Sequence, residues 1–215
     1  MDLQKHILQT DFLSHHILYI FLKLLSTPFG ISKRLFESEY FSHQPYILYP
    51  NTKRKEGNFV NDPKRIKILS PAKGRIIPLS EVDDIAFSSE ILGKGCAIIP
   101  FEGKIYSPVK GVVEAVPSSH HAVALRSDDG CSVLIHVGKD TVSLGGKYFA
   151  SYVSVGDRVN AGDLLLVFDS EKLSEEGYDI KTPILIQDPD KYDSVIPESF
   201  GITDVSDPLF LLERI

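Results

Sequence analysis

From Ile66 to the C-terminus, short β-branched and apolar runs are cut every eight to twelve residues or so by Gly, Pro, Asp and Ser. Arg75–Leu79, Cys96–Pro100, Val112–Val116, Ala122–Arg126, Ser132–Val137 and Leu164–Phe168 are such runs. This spacing leaves little room for a long helix. It predicts an all-β fold, an antiparallel sandwich or barrel of short strands. Glycines 103, 111, 130, 138, 145, 156 and 162 fall between the runs, where left-handed or tight turns are expected. Asp129-Gly130 between two apolar runs is a hairpin signal. Helical turns are expected only over Ser170–Glu176 and near Asp84–Leu92.

The pattern begins abruptly, and charge changes with it. Residues 1–67 hold 10 Lys+Arg against 6 Asp+Glu and 2 of the 15 glycines, while residues 68–215 hold 13 against 23 and the other 13 glycines. A local balance of +4 therefore precedes one of -10. The chain divides into a basic N-terminal extension, 1–65, and an acidic domain, 66–215. The acidic domain would repel nucleic-acid phosphates, which argues against nucleic acid as a partner. Cys96 and Cys131 are too few for a disulfide framework, form no Cys-x-x-Cys pair, and read as small buried apolar side chains in a reducing compartment.

In the extension, Leu8, Phe12, Leu13, Ile17, Ile20, Phe21, Leu24 and Leu25 follow helical spacing. The run from Phe12 to Leu25 contains His15, His16 and Lys23 and is too short for a membrane-spanning helix. An amphipathic helix over 8–25 is expected, packed on the domain or on a partner, with shallow docking on a membrane surface left open. Residues 51–66 read as a polar linker. The extension is thus expected to be partly helical and carries no recognisable chemistry.

The domain contains a repeat. Ser70-Pro71-Ala72-Lys73-Gly74 and Ser107-Pro108-Val109-Lys110-Gly111 lie 37 residues apart, and each leads into a β-branched run. A duplicated supersecondary unit is expected. Val155 to Leu164 reads V-G-D-R-V-N-A-G-D-L, a hairpin pattern of hybrid barrels. Biotinyl and lipoyl carrier domains share it, but they need a turn lysine usually flanked by methionine, and Met1 is the sole methionine here.

Three histidines lie in the domain. His136 ends the apolar run Leu134-Ile135-His136 before Gly138, on the face of Leu134 by strand alternation. His121 opens the preceding run, and the turn at Ser127–Gly130 makes the two runs hairpin partners with Ala122 or Val123 opposite His136. Two imidazoles so placed are either satisfied structural residues of the core or a small site, and as a site they suit phosphoryl transfer: a neutral ring is a nucleophile, and a second can hydrogen-bond the phosphoryl oxygens. The same pair could ligate zinc, given a third ligand. Asp140, beyond the glycine turn, could orient or tune an imidazole.

The stretch Leu134-Ile135-His136-Val137-Gly138-Lys139-Asp140-Thr141-Val142 resembles the active-site motif of the glucose-type enzyme IIA (EIIA) domain of the bacterial phosphoenolpyruvate-dependent sugar phosphotransferase system. The resemblance runs through Leu69–Gly74, Val82-Asp83-Asp84 with Phe87, Leu92–Ile98, Ser107–Gly111, His121–Val123, Ser127–Gly130, the Gly156–Leu164 hairpin and Thr182-Pro183. The extension has no counterpart in it.

The resemblance implies a β-sandwich phosphoryl carrier in the cytoplasm, with contact to the inner face of the membrane left open for the extension. His136 matches the phosphorylated histidine, which takes phosphate from the phosphocarrier protein HPr and passes it to an enzyme IIB cysteine of a sugar permease (EIIB/EIIC). His121 matches the histidine that holds the phosphoryl group, Ser119 stands for a usual threonine beside it, and Asp140 matches a supporting acid. Phe87, Ile91, Leu92 and Val142 match the apolar rim on which partners dock. No cofactor is required, although His121 and His136 could hold zinc at a partner interface. His120 is an extra histidine and takes the second role if its loop is shifted by one. Lys139 stands where the family more often has an apolar residue; it reads as a solvated turn lysine, or as a cation that stabilises phosphate or alters partner preference. A regulatory protein whose phosphorylation state controls its partners is the alternative. A zinc hydrolase on a related barrel is remote, because the His-x-His of such enzymes is absent.

Overall fold

A computed structural model describes residues 64–215 of the chain. The helix expected over 8–25 and most of the extension lie outside those residues. The described elements run β1 (Arg65–Leu69), β2 (Gly74–Pro78), α1 (Ile85–Ser88), β3 (Lys94–Pro100), β4 (Lys104–Tyr106), β5 (Gly111–Ala115), β6 (Ala122–Ser127), β7 (Ser132–His136), β8 (Phe149–Ser151), β9 (Arg158–Val159), β10 (Leu164–Phe168), α2 (Ser170–Glu175), β11 (Thr182–Ile186), β12 (Gly201–Thr203) and β13 (Pro208–Glu213). The expected all-β architecture is present, with each of the six expected runs on a strand and each expected helical turn formed. Asp84 caps α1 by accepting the Ala86 N–H at 2.9 Å, and Asp169 caps α2 by accepting the Lys172 N–H at 3.0 Å.

The strands pair antiparallel in an eight-stranded sheet of order β12-β2-β3-β11-β7-β6-β5-β9, a three-stranded sheet β4-β10-β8 and a pair β1-β13. One face of the large sheet, bearing Ile98, Val123, Leu125, Val133, Ile135 and Ile184, packs on Ile68, Ile105, Leu166, Phe210 and Leu212 of the smaller sheets. Each of these is nearly or fully buried, and each contributes roughly 1.5–3 kcal/mol. The opposite face carries Ala97, Ala124, Leu134 and Leu185, covered by Leu79, Val82 and Phe87 from the segment ahead of β3. His136 ends β7 on this second face, so its strand alternation with Leu134 is as expected.

The five-residue repeat is part of a larger two-fold arrangement. Ser70 Oγ donates to the Ala72 carbonyl at 2.9 Å, and Ser107 Oγ donates to the Val109 carbonyl at 2.7 Å. The two copies then exchange bonds: Leu69 N–H donates to Pro108, and Tyr106 N–H to Pro71. Each copy also takes a turn that its own sequence does not reveal. Ser107 N–H donates to Asp163 and Ser70 N–H to Asp207, while Asp163 and Asp207 accept the N–H groups of Asn160 and Asp204. Gly162 in one turn and Ser206 in the other share a left-handed backbone, φ +89° and +77°.

One expectation about glycine needs correcting. Gly103 and Gly111 are not left-handed; a Cβ on Gly111 would run into the Arg126 carbonyl across the β5–β6 ladder. Glycine is required there for close backbone approach.

Candidate active site

The tight turn at Asp129-Gly130 sets the β6–β7 register, with Ala122 opposite His136 and Arg126 opposite Ser132. The ladder continues one step further, Val137 N–H donating to the His121 carbonyl at 2.8 Å. His121 lies just outside β6 rather than opening it. Before it, His120 is left-handed at φ +52°, which interrupts the extended backbone. The two rings meet edge-on, with centroids 4.7 Å apart and planes at 81°. It is His121, not His120, that contacts His136. The His120 ring lies instead near Gly146, where an added Cβ would stand 3.8 Å from its Cδ2.

Both imidazoles are held in the neutral form. His121 is 1% exposed, and its burial pushes the pKa down to about 4. His136 retains an accessible edge but is crowded by its neighbours. Desolvation, then the nearby His121, pushes its pKa down to about 3, against a smaller opposing effect of the Gly138 backbone. Nδ1 of His136 is sealed from solvent and makes no hydrogen bond of good geometry. That leaves Nε2 as the nitrogen an incoming group can reach. Ser119 Oγ lies 2.7 Å from His121 Nδ1, and both residues are buried. With the hydroxyl donating, Nδ1 accepts and the proton of His121 sits on Nε2.

Phe87 forms the other wall, its ring centroid 5.0 Å from that of His136. Phe87, expected on the docking rim, is only 4% exposed. Ile91 is exposed, whereas Leu92 and Val142 are half-buried. Ile85, which the sequence did not single out, is 71% exposed on α1, two residues before Phe87.

The turn after His136 is tied down by main-chain and hydroxyl bonds. Thr141 Oγ1 donates to the Val137 carbonyl at 2.6 Å, and the N–H groups of Gly138 and Lys139 donate to Lys181 and Asp179. Gly138 has φ +76°, and a Cβ there would stand 2.7 Å from the Asp179 carbonyl oxygen. Asp140 is exposed and left-handed at φ +58°, a conformation that aspartate tolerates, and it heads the 3-10 turn Thr141–Leu144. Lys139 does not stand free in solvent: its Nζ donates to Asp83 at 2.7 Å. Among the described residues no cluster of three or more His, Cys, Asp or Glu is placed to hold a metal ion, so zinc on His121 and His136 would need ligands from elsewhere.

Residues 66–192 match the model of the phosphoenolpyruvate-dependent sugar phosphotransferase system EIIA 1 family. The chain belongs to that family. The EIIA assignment is shared by several relatives. The glucose-specific EIIA component of Oceanobacillus iheyensis is 37% identical over 67% of this chain and 87% of its own length. The solved glucose permease IIA of Mycoplasma capricolum matches with a TM-score of 0.63 at 33% identity, covering 69% of this chain and 96% of that one. The β-glucoside-specific EIIBCA component of Dickeya chrysanthemi is 39% identical over 191 residues, which is 89% of this chain but 29% of its own length. The first three relatives are EIIBCA proteins, and the chain spans less than a third of each. The Dickeya match reaches beyond the acidic domain: 191 residues exceed the 150 from Ile66 to Ile215, so at least 41 residues ahead of Ile66 align with that longer EIIBCA protein, whereas the EIIA family model matches only residues 66–192. No helix among the described residues is long and apolar enough to cross a membrane.

Proposed function

We propose that this EIIA domain carries phosphate on His136 Nε2, taking it from the phosphohistidine of HPr and passing it to a cysteine of an EIIB component in the cytoplasm. The observation that carries the reading is the edge contact, at 4.7 Å between ring centroids, of a buried His121 with a half-buried His136, both held neutral, in a chain of the EIIA family. In acceptance, the Nε2 lone pair of His136 forms the new P–N bond while the donor's P–N bond breaks, and the donor imidazole leaves with that electron pair. Both rings keep the proton on their other nitrogen, so no base is needed. In onward transfer a thiolate forms the P–S bond and His136 leaves as neutral imidazole. The transferred group is loose and metaphosphate-like, with its charge on three oxygens. His121 Nε2–H donates to one of them, oriented by Ser119, and Phe87 keeps water from the reacting nitrogen. Asp140 supports the turn rather than the bond-making.

Labelled phosphate supplied through phosphoenolpyruvate, enzyme I and HPr tests this. One acid-labile, base-stable phosphate per chain is expected, and its loss in His136→Ala. Labelling of that variant at the normal level would overturn the assignment.

A further inference from the structure

We infer that Lys139 is a specificity-determining residue of the phosphoryl-transfer site: an internal cation that sits on the acidic rim beside His136 and weakens docking of cationic phosphoryl donors. The inference rests on the reading of His136 as the phosphoryl acceptor. Lys139 follows His136 by three residues, and its Nζ donates to Asp83 Oδ2 at 2.7 Å. Asp83 belongs to the segment that carries Asp84 and Phe87, and Phe87 walls the His136 ring. The pair therefore joins the two loops that flank the reacting imidazole.

Three carboxylates surround this lysine. Asp83 holds it directly, Asp140 is its chain neighbour, and Asp84 adjoins Asp83; all three favour its charged form, with the Asp83 hydrogen bond contributing most. Stability is a poor reason for the arrangement, because the Asp83 side chain is 88% exposed and exposed pairs contribute little. Charge at the rim is a better one. A donor or acceptor protein must bring its reacting atom against His136, so its surface must lie over these loops. A partner complementary to Asp83, Asp84 and Asp140 presents cations, and Lys139 already meets part of that negative field. Rim charges act mainly on encounter rate and salt dependence. Lys139 thus tunes how strongly a basic surface is drawn to the site, without touching the phosphoryl group.

The test uses the full chain and phosphorylated HPr as the donor, with initial rates of His136 labelling measured against HPr concentration at low and high salt. In Lys139→Met, the HPr concentration for half-maximal rate should fall about 3–10-fold at low salt, and the salt dependence should steepen. In Asp83→Asn, which frees the lysine while removing a carboxylate, it should rise. Lys104→Met removes a cation from the β4 pair with Glu102 and controls for overall charge. Unchanged concentration dependence in Lys139→Met, equal effects in Lys104→Met, or an effect confined to the rate at saturating HPr would each overturn the inference. A wild-type chain that takes no phosphate would instead overturn the reading of His136, and this inference with it.

Discussion

The rings of His121 and His136 stand edge to face, 4.7 Å between centroids, and the Ser119 hydroxyl lies 2.7 Å from Nδ1 of His121. With its hydroxyl donating, Ser119 leaves the His121 proton on Nε2, so its effect should fall on the handling of the phosphoryl group. Ser119→Ala should still accept phosphate on His136, while onward transfer slows about 10-fold or more, the size of effect seen when the group that orients a metal-ligating histidine is removed. His121→Gln should behave similarly and more severely. Single-turnover transfer from the phosphorylated chain to an EIIB domain measures both, and unaltered onward transfer in both variants would remove His121 from the reaction.

Phe87 supplies much of the apolar surround of His136, and its removal should let water reach the imidazole. In Phe87→Ala the pKa of His136 should rise from about 3 toward its ordinary value, followed by NMR titration of the ring. The phosphorylated form should hydrolyse faster. The buried ring also packs under the segment ahead of β3, so unfolding free energy should drop by about 3–5 kcal/mol. Phe87→Leu keeps most of the bulk and separates the two effects.

The depressed histidines make stability fall on the acid side of neutrality. Folded, His136 and His121 bind protons only near pH 3 and 4, whereas the unfolded chain binds them below about 6.5. The unfolded state therefore gains protons first as pH falls, and each histidine removes about 1.4 kcal/mol per pH unit between its unfolded and folded values. Denaturation between pH 7 and 4.5 should show this slope, reduced by about half of the histidine contribution in His136→Gln. An equal slope in that variant would mean the ring is not excluded from protons in the folded state.

Two glycines should respond differently to the same methyl group. At Gly111 a Cβ meets the Arg126 carbonyl, so Gly111→Ala must part β5 from β6 and should cost about 3 kcal/mol. At Gly162 nothing lies within 4 Å and only the left-handed backbone resists, so Gly162→Ala should cost about 1–2 kcal/mol. Ser206, left-handed at the equivalent place in the second copy, is consistent with that smaller cost. Urea denaturation of the two variants compares them, and equal losses would contradict the close approach at Gly111.

The strand pattern after Ile66 was legible because turn chemistry and period-two alternation are local properties of the chain. They placed β6 and β7, the hairpin at Asp129-Gly130, and His136 on the face of Leu134. The Leu134–Val142 motif likewise carried the family, since it is contiguous. What depends on segments distant in sequence was not legible. Nothing near His136 announces that Phe87, 49 residues earlier, walls its ring, or that Asp83 pairs with Lys139. The choice between His120 and His121 turned on one left-handed residue, which local alternation does not predict. The second half of the duplication lay hidden because Asp163 and Asp207 serve Ser107 and Ser70 across 56 and 137 residues. By itself the sequence determined the strands, the turns and the pair of histidines, through backbone preferences acting over a few residues. Tertiary packing alone decided which groups desolvate, orient and screen those histidines, because burial and charge depend on what the folded chain brings near.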